Sequence, residues 1–379
     1  MFKRIILLII CLLVLVVFNA QKSQPTTKKS ENSLNFNTFN DGRDSTAPHF
    51  SKTYELRNTD NVQNIAINHK TFKALNLSNQ YLTRKSKRTH TLGKLTVSDN
   101  QLLQANKIIQ NWGDDGEINL LENVNAYQLC GEDNRGNVHI TGYYIPIINV
   151  KKEADDIYKY PLYRKPKNWK GRLPSRKKID HEAALANQDL ELCYSDDLLD
   201  NFLMQVQGSG LVQYPNGTTE LLSYGGENGH RYKSIGKYLV AAGHVPKSEI
   251  SLEAIKEWTA ENPDSLNRLL NRNPSYVFFN KSKKEPSGAA SVPLSAMVSV
   301  AVDKRYIPLG STLLAAVPVL DENDDFIGHE YRILTAQDVG GAIKGKGRMD
   351  FFCGIGEAGK KRAGALNHYG KVWLLLPKE

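Results

Sequence analysis

From Val292 to the end of the chain, short strand-like runs alternate with turns rich in glycine and proline. The runs are residues 297–302, 312–317, 331–336 and 371–376. Runs of this length bounded by turn residues are typical of β-strands. The pattern therefore predicts that the last part of the chain folds as a β structure.

Within this region a glycine-rich turn lies between two aspartates. Asp338 precedes the sequence Val-Gly-Gly-Ala-Ile-Lys-Gly, and Asp350 follows it. Glycine lets the backbone approach a ligand closely, and two carboxyl groups at this spacing can be folded back toward each other. The arrangement suits acid/base chemistry on a polar substrate. An alternative for Asp338 stays open, because an aspartate before Val-Gly-Gly is also ordinary turn chemistry.

With Asp303 upstream, this segment resembles the three-aspartate barrel of the MltA family of membrane-bound lytic murein transglycosylases. Further blocks resemble the family in the same order and at similar spacing. They are residues 141–146, 161–163, 205–210, 228–236 and 273–279. Several independent blocks in one order are far more specific than a single motif.

The resemblance implies a mainly β fold with some α-helix. Residues 95–154 and 286–379 would form a double-psi β-barrel domain, and residues 155–285 a second, inserted β-rich domain. The substrate groove would lie between the two, where ligand clefts are common.

The resemblance also implies an activity. Lytic transglycosylases cleave the β-1,4 bond between N-acetylmuramic acid and N-acetylglucosamine in peptidoglycan, and the C6 hydroxyl of the substrate closes a 1,6-anhydro ring. Asp350 matches the single catalytic acid/base, and Asp338 is a second catalytic candidate that raises the pKa of Asp350. A guanidinium aimed at Asp350 would lower that pKa, so we predict a bulge or bend after Gly347 that turns Arg348 away.

Substrate-binding residues carried over from the resemblance are Asp303, Tyr143, Tyr144, Gln207, Gly208, Ser209, Asn228, Tyr232, Gly341 and Ile343. Other roles stay open for some of them, because tyrosines in strands are often packing residues and Asp303 could organise hydrogen bonds within the barrel. Two further functions also stay open: a non-catalytic peptidoglycan-binding module and a hydrolytic glycosidase of the same fold. No metal or other cofactor is predicted, because no metal-ligand spacing or phosphate-binding loop is present in the sequence.

The N-terminus has the features of a secretory signal or an anchor. Lys3 and Arg4 precede an apolar run over residues 5–18, and residues 1–20 form the predicted segment. Bulky Ile10 stands before Cys11, which predicts no lipidation there. We therefore expect a periplasmic, membrane-associated protein, at the outer membrane if the resemblance holds.

Residues 21–94 are predicted to be a basic, largely disordered tether. They contain thirteen Lys or Arg and five Asp or Glu, which accounts for most of the net charge of +9. The rest of the chain is nearly neutral, which argues against nucleic acid as a partner and favours peptidoglycan glycan strands, with other cell-wall enzymes as further candidates. A chain that starts near Lys94 is expected to stay folded and active.

Local signals predict individual elements. Ser98 with Gln101 three residues later predicts a helix start, and residues 139–144 predict a strand. A helix is expected from residue 195 through Phe202, followed by a strand over residues 204–207 that ends in a glycine turn.

Overall fold

The computed structural model of the protein describes residues 67–85, 88–115 and 120–378, together with residues 50 and 65. The predicted signal segment and the tether before residue 67, apart from residues 50 and 65, lie outside the described residues. None of the helices in the described ranges is long and apolar enough to cross a bilayer.

The described helices are α1 (His69–Lys85), α2 (Asp99–Asp115), α3 (Leu120–Asn123), α4 (Arg176–Asp180), α5 (Leu198–Gln207), α6 (Ile235–Ala241), α7 (Leu252–Glu261), α8 (Leu266–Leu270) and α9 (Gly356–Ala365). The early strands are β1 (Thr89–Leu92), β2 (Leu95–Ser98), β3 (Val124–Gln128), β4 (Val138–Ile145), β5 (Ile147–Lys151), β6 (Tyr160–Tyr163), β7 (Glu191–Ser195) and β8 (Gly210–Gln213). The later strands are β9 (Thr219–Glu227), β10 (Val277–Ser282), β11 (Ser299–Ala301), β12 (Thr312–Leu320), β13 (Phe326–Asp338), β14 (Arg348–Ile355) and β15 (Asn367–Pro377).

Six strands close into a barrel in the order β12, β13, β11, β14, β4 and β15, and β15 pairs again with β12. Two of the pairings, β11 with β13 and β14 with β4, are parallel, and β3 pairs with the C-terminal half of β15. Closure leaves no free edge among these six strands. The predicted fold class, a mainly β protein with a closed barrel, is confirmed, and each strand-like run that opened the sequence analysis lies in or around a barrel strand.

The barrel encloses a continuous apolar core. Val300, Leu313, Met349 and Phe351 are buried in it, and Leu374 reaches it from β15. The first seven residues of β12 and most of β15 are buried on both faces, because one face packs on this core and the other is covered by α2. Such strands read as unbroken apolar runs rather than alternating ones.

The predicted tether is wrong over its last part. Within it, residues 69–85 form α1 and residues 89–92 form β1 of the β1–β2 hairpin, and the Leu75 and Leu82 side chains in α1 have no exposed surface. Leu82 also lies against the backbone of Gly310, where a Cβ atom would sit 2.7 Å from Leu82 Cδ2. Order therefore begins before residue 94, and this segment is part of the barrel domain's packing.

The predicted helix start at Ser98 is confirmed. Ser98 Oγ accepts the Gln101 N–H at 3.2 Å, and Gln101 Oε1 accepts the Ser98 N–H at 2.9 Å. These reciprocal bonds satisfy two N–H groups that the first turn of α2 leaves free.

Residues 147–282 form a second sheet with strand order β10, β9, β8, β5, β7 and β6. It lies in the chain between β4 and β11, and helices α4 to α8 belong to the same stretch. The predicted strand over residues 204–207 is wrong, because α5 continues through Gln207. Met204 and Gln205 are buried on the same helix as Phe202, and Gly208 ends it with φ at 83° and its N–H on Met204 O.

Candidate active site

Strand register brings the two central aspartates into one row across the barrel wall. Asp338 pairs with Ala301 on β11, Ala301 pairs with Asp350 on β14, and Asp350 pairs with Thr141 on β4. At normal strand spacing the two aspartate Cα atoms are therefore about 10 Å apart. Tyr143, two residues beyond Thr141 on the same face of β4, donates its hydroxyl to Asp338 Oδ2 at 2.8 Å.

Asp350 is partly buried, with one direct hydrogen bond among the described side chains. Thr141 Oγ1 donates to Asp350 Oδ1 at 2.7 Å. Burial raises the pKa of Asp350 to about 6; the Thr141 hydrogen bond and the charge of Arg348 oppose this shift, and the charge of Asp338 adds to it. A carboxyl group with such a pKa can both give and take a proton near neutral pH.

Asp338 is held more firmly. In addition to the Tyr143 hydroxyl, its carboxylate accepts the backbone N–H of Ala289 at 2.9 Å and that of Val339 at 2.8 Å. Burial raises its pKa, while these hydrogen bonds act in the opposite direction. Asp338 therefore combines a turn-capping contact with a position beside Tyr143, so the two roles left open by the sequence are compatible.

Asp303 is anchored within the chain. The Arg305 guanidinium donates to both of its oxygens, and the Gly345 N–H donates to Oδ2 at 2.9 Å. Burial alone would raise the pKa of Asp303, but the hydrogen bonds from Arg305 and Gly345 outweigh it and lower that pKa to about 2. Asp303 is thus ionised at any working pH and ties the glycine-rich turn to the end of β11.

The predicted bulge or bend after Gly347 is wrong. β14 pairs with β4 in continuous register from Arg348 to Phe352, and the register shifts only between Phe352 and Ile355. Arg348 therefore shares a face with Asp350. Its guanidinium is held by His139 Nδ1 and by Thr141 Oγ1, the latter at 3.3 Å, rather than by the carboxylate.

The two predicted tyrosines are separated. Successive residues of a strand point to opposite faces, so Tyr144 faces away from Tyr143 and is 7% exposed. Gln207, at the end of α5, accepts the Tyr144 N–H through Oε1 at 3.2 Å. Gly208 and Ser209 follow it and are half-buried. This group therefore lies at the end of β4.

The remaining predicted site residues differ in accessibility. Asn228 is 2% exposed, and its amide donates to Pro174 O and Pro274 O and accepts the Tyr276 N–H. Ile343 is 3% exposed, whereas Tyr232 is 39% exposed and Gly341 is exposed with open space around it. Burial argues against direct substrate contact for Asn228 and Ile343.

Sequence reasoning missed Thr141 and His139 as site residues. Both share the Tyr143 face of β4, two and four residues earlier, so the period-2 alternation of a strand was the available signal. In the part of the chain that the structure describes, no cluster of three or more His, Cys, Asp or Glu side chains is placed to hold a metal.

A closed barrel that presents two carboxyl groups of raised pKa in one row suits acid/base chemistry on a polar substrate. Comparison with known proteins gives the family. The model of the MltA specific insert domain matches residues 139–280, and that of the 3D domain matches residues 298–376. The chain belongs to the MltA family, as its sequence motifs predicted.

Curated relatives of the chain are named as lytic murein transglycosylases. "Membrane-bound lytic murein transglycosylase A" of Escherichia coli strain K12 is 46% identical over 256 residues, which cover 66% of this chain and 69% of that protein. The protein of that name from Vibrio cholerae serotype O1 is 42% identical over 256 residues, with the same shares. Like these relatives, the chain is a lytic murein transglycosylase by class.

Solved structures agree. The crystal structure of E. coli MltA with bound chitohexaose has a TM-score of 0.76 at 36% identity, covering 94% of this chain and 100% of that one. The membrane-bound lytic murein transglycosylase of Agrobacterium tumefaciens has a TM-score of 0.68 at 26% identity, covering 81% of this chain and 93% of that one.

Proposed function

We propose that this protein cleaves the β-1,4 bond between N-acetylmuramic acid and N-acetylglucosamine in peptidoglycan and leaves a 1,6-anhydromuramic acid end, with Asp350 as the single acid/base. The observation that carries the proposal is Asp350 itself: a partly exposed carboxyl group whose pKa burial raises to about 6. The names of the relatives and the chitohexaose bound by E. coli MltA support the substrate class.

In the first step, protonated Asp350 gives its proton to the glycosidic oxygen as the C1–O bond breaks. N-acetylglucosamine leaves as an alcohol, and positive charge develops at C1 of N-acetylmuramic acid. The nearby Asp338 carboxylate, held by Tyr143, is placed to favour both the protonated form of Asp350 and this positive charge.

In the second step, the Asp350 carboxylate takes the proton of the C6 hydroxyl as that oxygen attacks C1. The C1–O6 bond closes the anhydro ring, and Asp350 is protonated again for the next cycle. The reaction consumes no water. A single carboxyl group suffices, because the two proton transfers occur one after the other.

Exposed predicted site residues are placed to contact the glycan, while the buried ones support them. Half-buried Tyr143 bonds Asp338, exposed Gly341 lies in the glycine-rich turn after it, and exposed Tyr232 lies in the loop after β9. The Gln207 hydrogen bond fixes the end of β4, and Asn228 fixes the loop that carries Tyr232. We propose that the groove between the barrel and the inserted sheet binds the strand.

We also propose a periplasmic, membrane-associated location. The curated relatives are named membrane-bound, and the apolar run over residues 5–18 with the basic residues after it supports attachment through the N-terminus.

Digestion of isolated murein sacculi by the purified protein tests the activity. Release of soluble muropeptides is expected. Binding to sacculi without any release would instead identify the chain as the non-catalytic binding module that the sequence left open.

The pH profile of kcat/KM is expected to fall as pH rises through about 6, because only the protonated form of Asp350 can start the reaction. Thr141→Val removes a hydrogen bond that favours the ionised carboxylate, while His139 still holds the Arg348 guanidinium, so the alkaline limb should move to higher pH by up to about one unit. The measurement is the initial rate on soluble glycan fragments at a series of pH values. An alkaline limb that stays in place in Thr141→Val would show that Asp350 does not set it.

A further inference from the structure

His139 has both ring nitrogens engaged on the face of β4 that carries Thr141. Nε2 lies 2.7 Å from Asn367 Oδ1, and Nδ1 contacts the Arg348 guanidinium. The ring also stacks on Tyr369, with centroids 5.0 Å apart. Register explains the arrangement, because His139 pairs with Arg348 on one side and with Tyr369 on the other.

Donor and acceptor chemistry fixes every proton in this chain of contacts. A guanidinium can only donate, so His139 Nδ1 must be the acceptor, and the imidazole is neutral with its proton on Nε2. Arg348 also donates to Thr141 Oγ1 at 3.3 Å. The Thr141 hydroxyl is therefore free to donate its own proton to Asp350 Oδ1, at 2.7 Å.

These contacts determine where the positive charge of Arg348 lies. Arg348 Nε is buried and has no hydrogen-bond partner among the described residues, so His139 and Thr141 are the side chains that hold the guanidinium there. Thr141 Oγ1 lies 3.3 Å from Arg348 Nη2 and 2.7 Å from Asp350 Oδ1, so a single hydroxyl group separates the guanidinium from the carboxylate. Without His139, the guanidinium would keep, among the described residues, its 3.3 Å contact with Thr141, whose hydroxyl is bonded to the Asp350 carboxylate.

We infer that His139 is a positioning residue: by accepting a hydrogen bond from Arg348, it holds the guanidinium on Thr141 and off Asp350, so that Asp350 keeps the proton it delivers. This inference rests on the proposed acid/base role of Asp350. A guanidinium in direct contact would stabilise the ionised carboxylate and remove the acid.

The surrounding charges are consistent with this role. Around His139, the titratable or charged groups are Arg348 on β14 and His368 and Tyr369 on β15. Burial first, and then the charge of Arg348, lower the pKa of His139, which favours the neutral form that accepts the hydrogen bond.

Around Asp350, the corresponding groups come from three strands. They are Asp338 on β13, Arg348 and Cys353 on β14, and Tyr143 on β4. Arg348 is the cation among them that acts on Asp350. His139 can therefore change the pKa of Asp350 by changing the position of the Arg348 guanidinium.

The test measures the pKa of Asp350 directly, by carboxyl ¹³C NMR titration of the full chain labelled at aspartate, with Asp350→Asn to assign the signal. His139→Leu should lower that pKa by about one unit and move the alkaline limb of kcat/KM down equally. His139→Asn keeps an acceptor near the Nδ1 position and should restore the parental value.

A double variant tests whether His139 acts on Asp350 through Arg348. Arg348→Met alone should raise the pKa of Asp350, and His139→Leu combined with Arg348→Met should match Arg348→Met alone, because His139 acts only through the guanidinium. An unchanged pKa in His139→Leu would overturn the inference, as would a decrease that persists in the double variant.

A measurement on the parental protein covers the case in which His139→Leu does not fold. Ring ¹⁵N NMR should show neutral His139 with its proton on Nε2 at pH 7, and a proton on Nδ1 would overturn the inference. Failure of the proposed function gives a different result. An Asp350→Asn variant that digests murein would refute the acid/base role of Asp350. A pKa of Asp350 that falls in His139→Leu would still support the positioning of Arg348 by His139.

Discussion

Replacing Asp350 with asparagine is expected to reduce murein digestion by roughly 10²–10⁴-fold in a folded protein. The amide keeps the shape of the side chain and can still accept the Thr141 hydrogen bond at 2.7 Å. It cannot deliver a proton to the leaving oxygen or take one from the C6 hydroxyl. Both steps of the proposed reaction therefore lose their proton carrier at once.

Asp324→Asn provides the matched control. It makes the same chemical change at an exposed position in the turn between β12 and β13, where φ is 64° and asparagine is well tolerated. Its digestion rate should equal that of the parental protein. A rate for Asp350→Asn that also matched the parental one would refute the acid/base assignment.

The second large effect concerns α1. Leu82→Ala is expected to lower the free energy of unfolding by about 2–5 kcal/mol, because it empties a fully buried site packed against the barrel. The helix also satisfies Gln337, the residue before Asp338: Gln337 Nε2 donates to Ala74 O at 2.8 Å and to Ser78 Oγ at 3.0 Å. Loss of α1 would leave this buried amide without those acceptors.

Two truncated chains test the same point. A chain starting at Pro48 retains α1 and the Phe50 ring that packs on Tyr127, and should unfold cooperatively near the parental temperature. A chain starting at Lys94 lacks α1 and should be unfolded or inactive on soluble glycan fragments and sacculi alike. If the shorter chain were folded and active, α1 would be dispensable and Leu82→Ala should cost little.

The sequence predicted α1 poorly for a physical reason. Its buried stripe follows helical spacing, but small or polar side chains occupy much of it. The stripe consists of Thr71, Ala74, Leu75, Ser78, Tyr81 and Leu82. Thr71 and Ser78 are buried because the helix approaches the barrel closely, and a search for apolar periodicity does not find such a stripe.

The end of α5 illustrates a different limit. Met-Gln-Val-Gln at residues 204–207 alternates apolar and polar side chains as a strand would. The apolar residues of the whole segment favour a helix instead, because Leu198, Phe202 and Leu203 recur at helical spacing. Asp197 also caps the helix by accepting hydrogen bonds from two backbone N–H groups. A four-residue alternation is too short to compete with a capped helix already begun.

For the site, the sequence predicted the two central aspartates, but it could not place their partners. Thr141 and His139 lie more than two hundred residues from Asp350 and Arg348 in the chain. They meet because β4 pairs in parallel with β14, a register set by closure of the whole barrel. The raised pKa of Asp350 depends on that closure as well, since burial is its largest cause.

Digestion of murein sacculi in ¹⁸O-enriched water, followed by mass spectrometry of the soluble products, tests the central claim most directly. If the C6 hydroxyl of N-acetylmuramic acid completes the reaction, the new ends are 1,6-anhydro rings, lighter by one water than a hydrolytic product and free of ¹⁸O. Reducing ends that carry ¹⁸O would show that water completes the reaction, and the protein would be a hydrolytic glycosidase built on the same barrel.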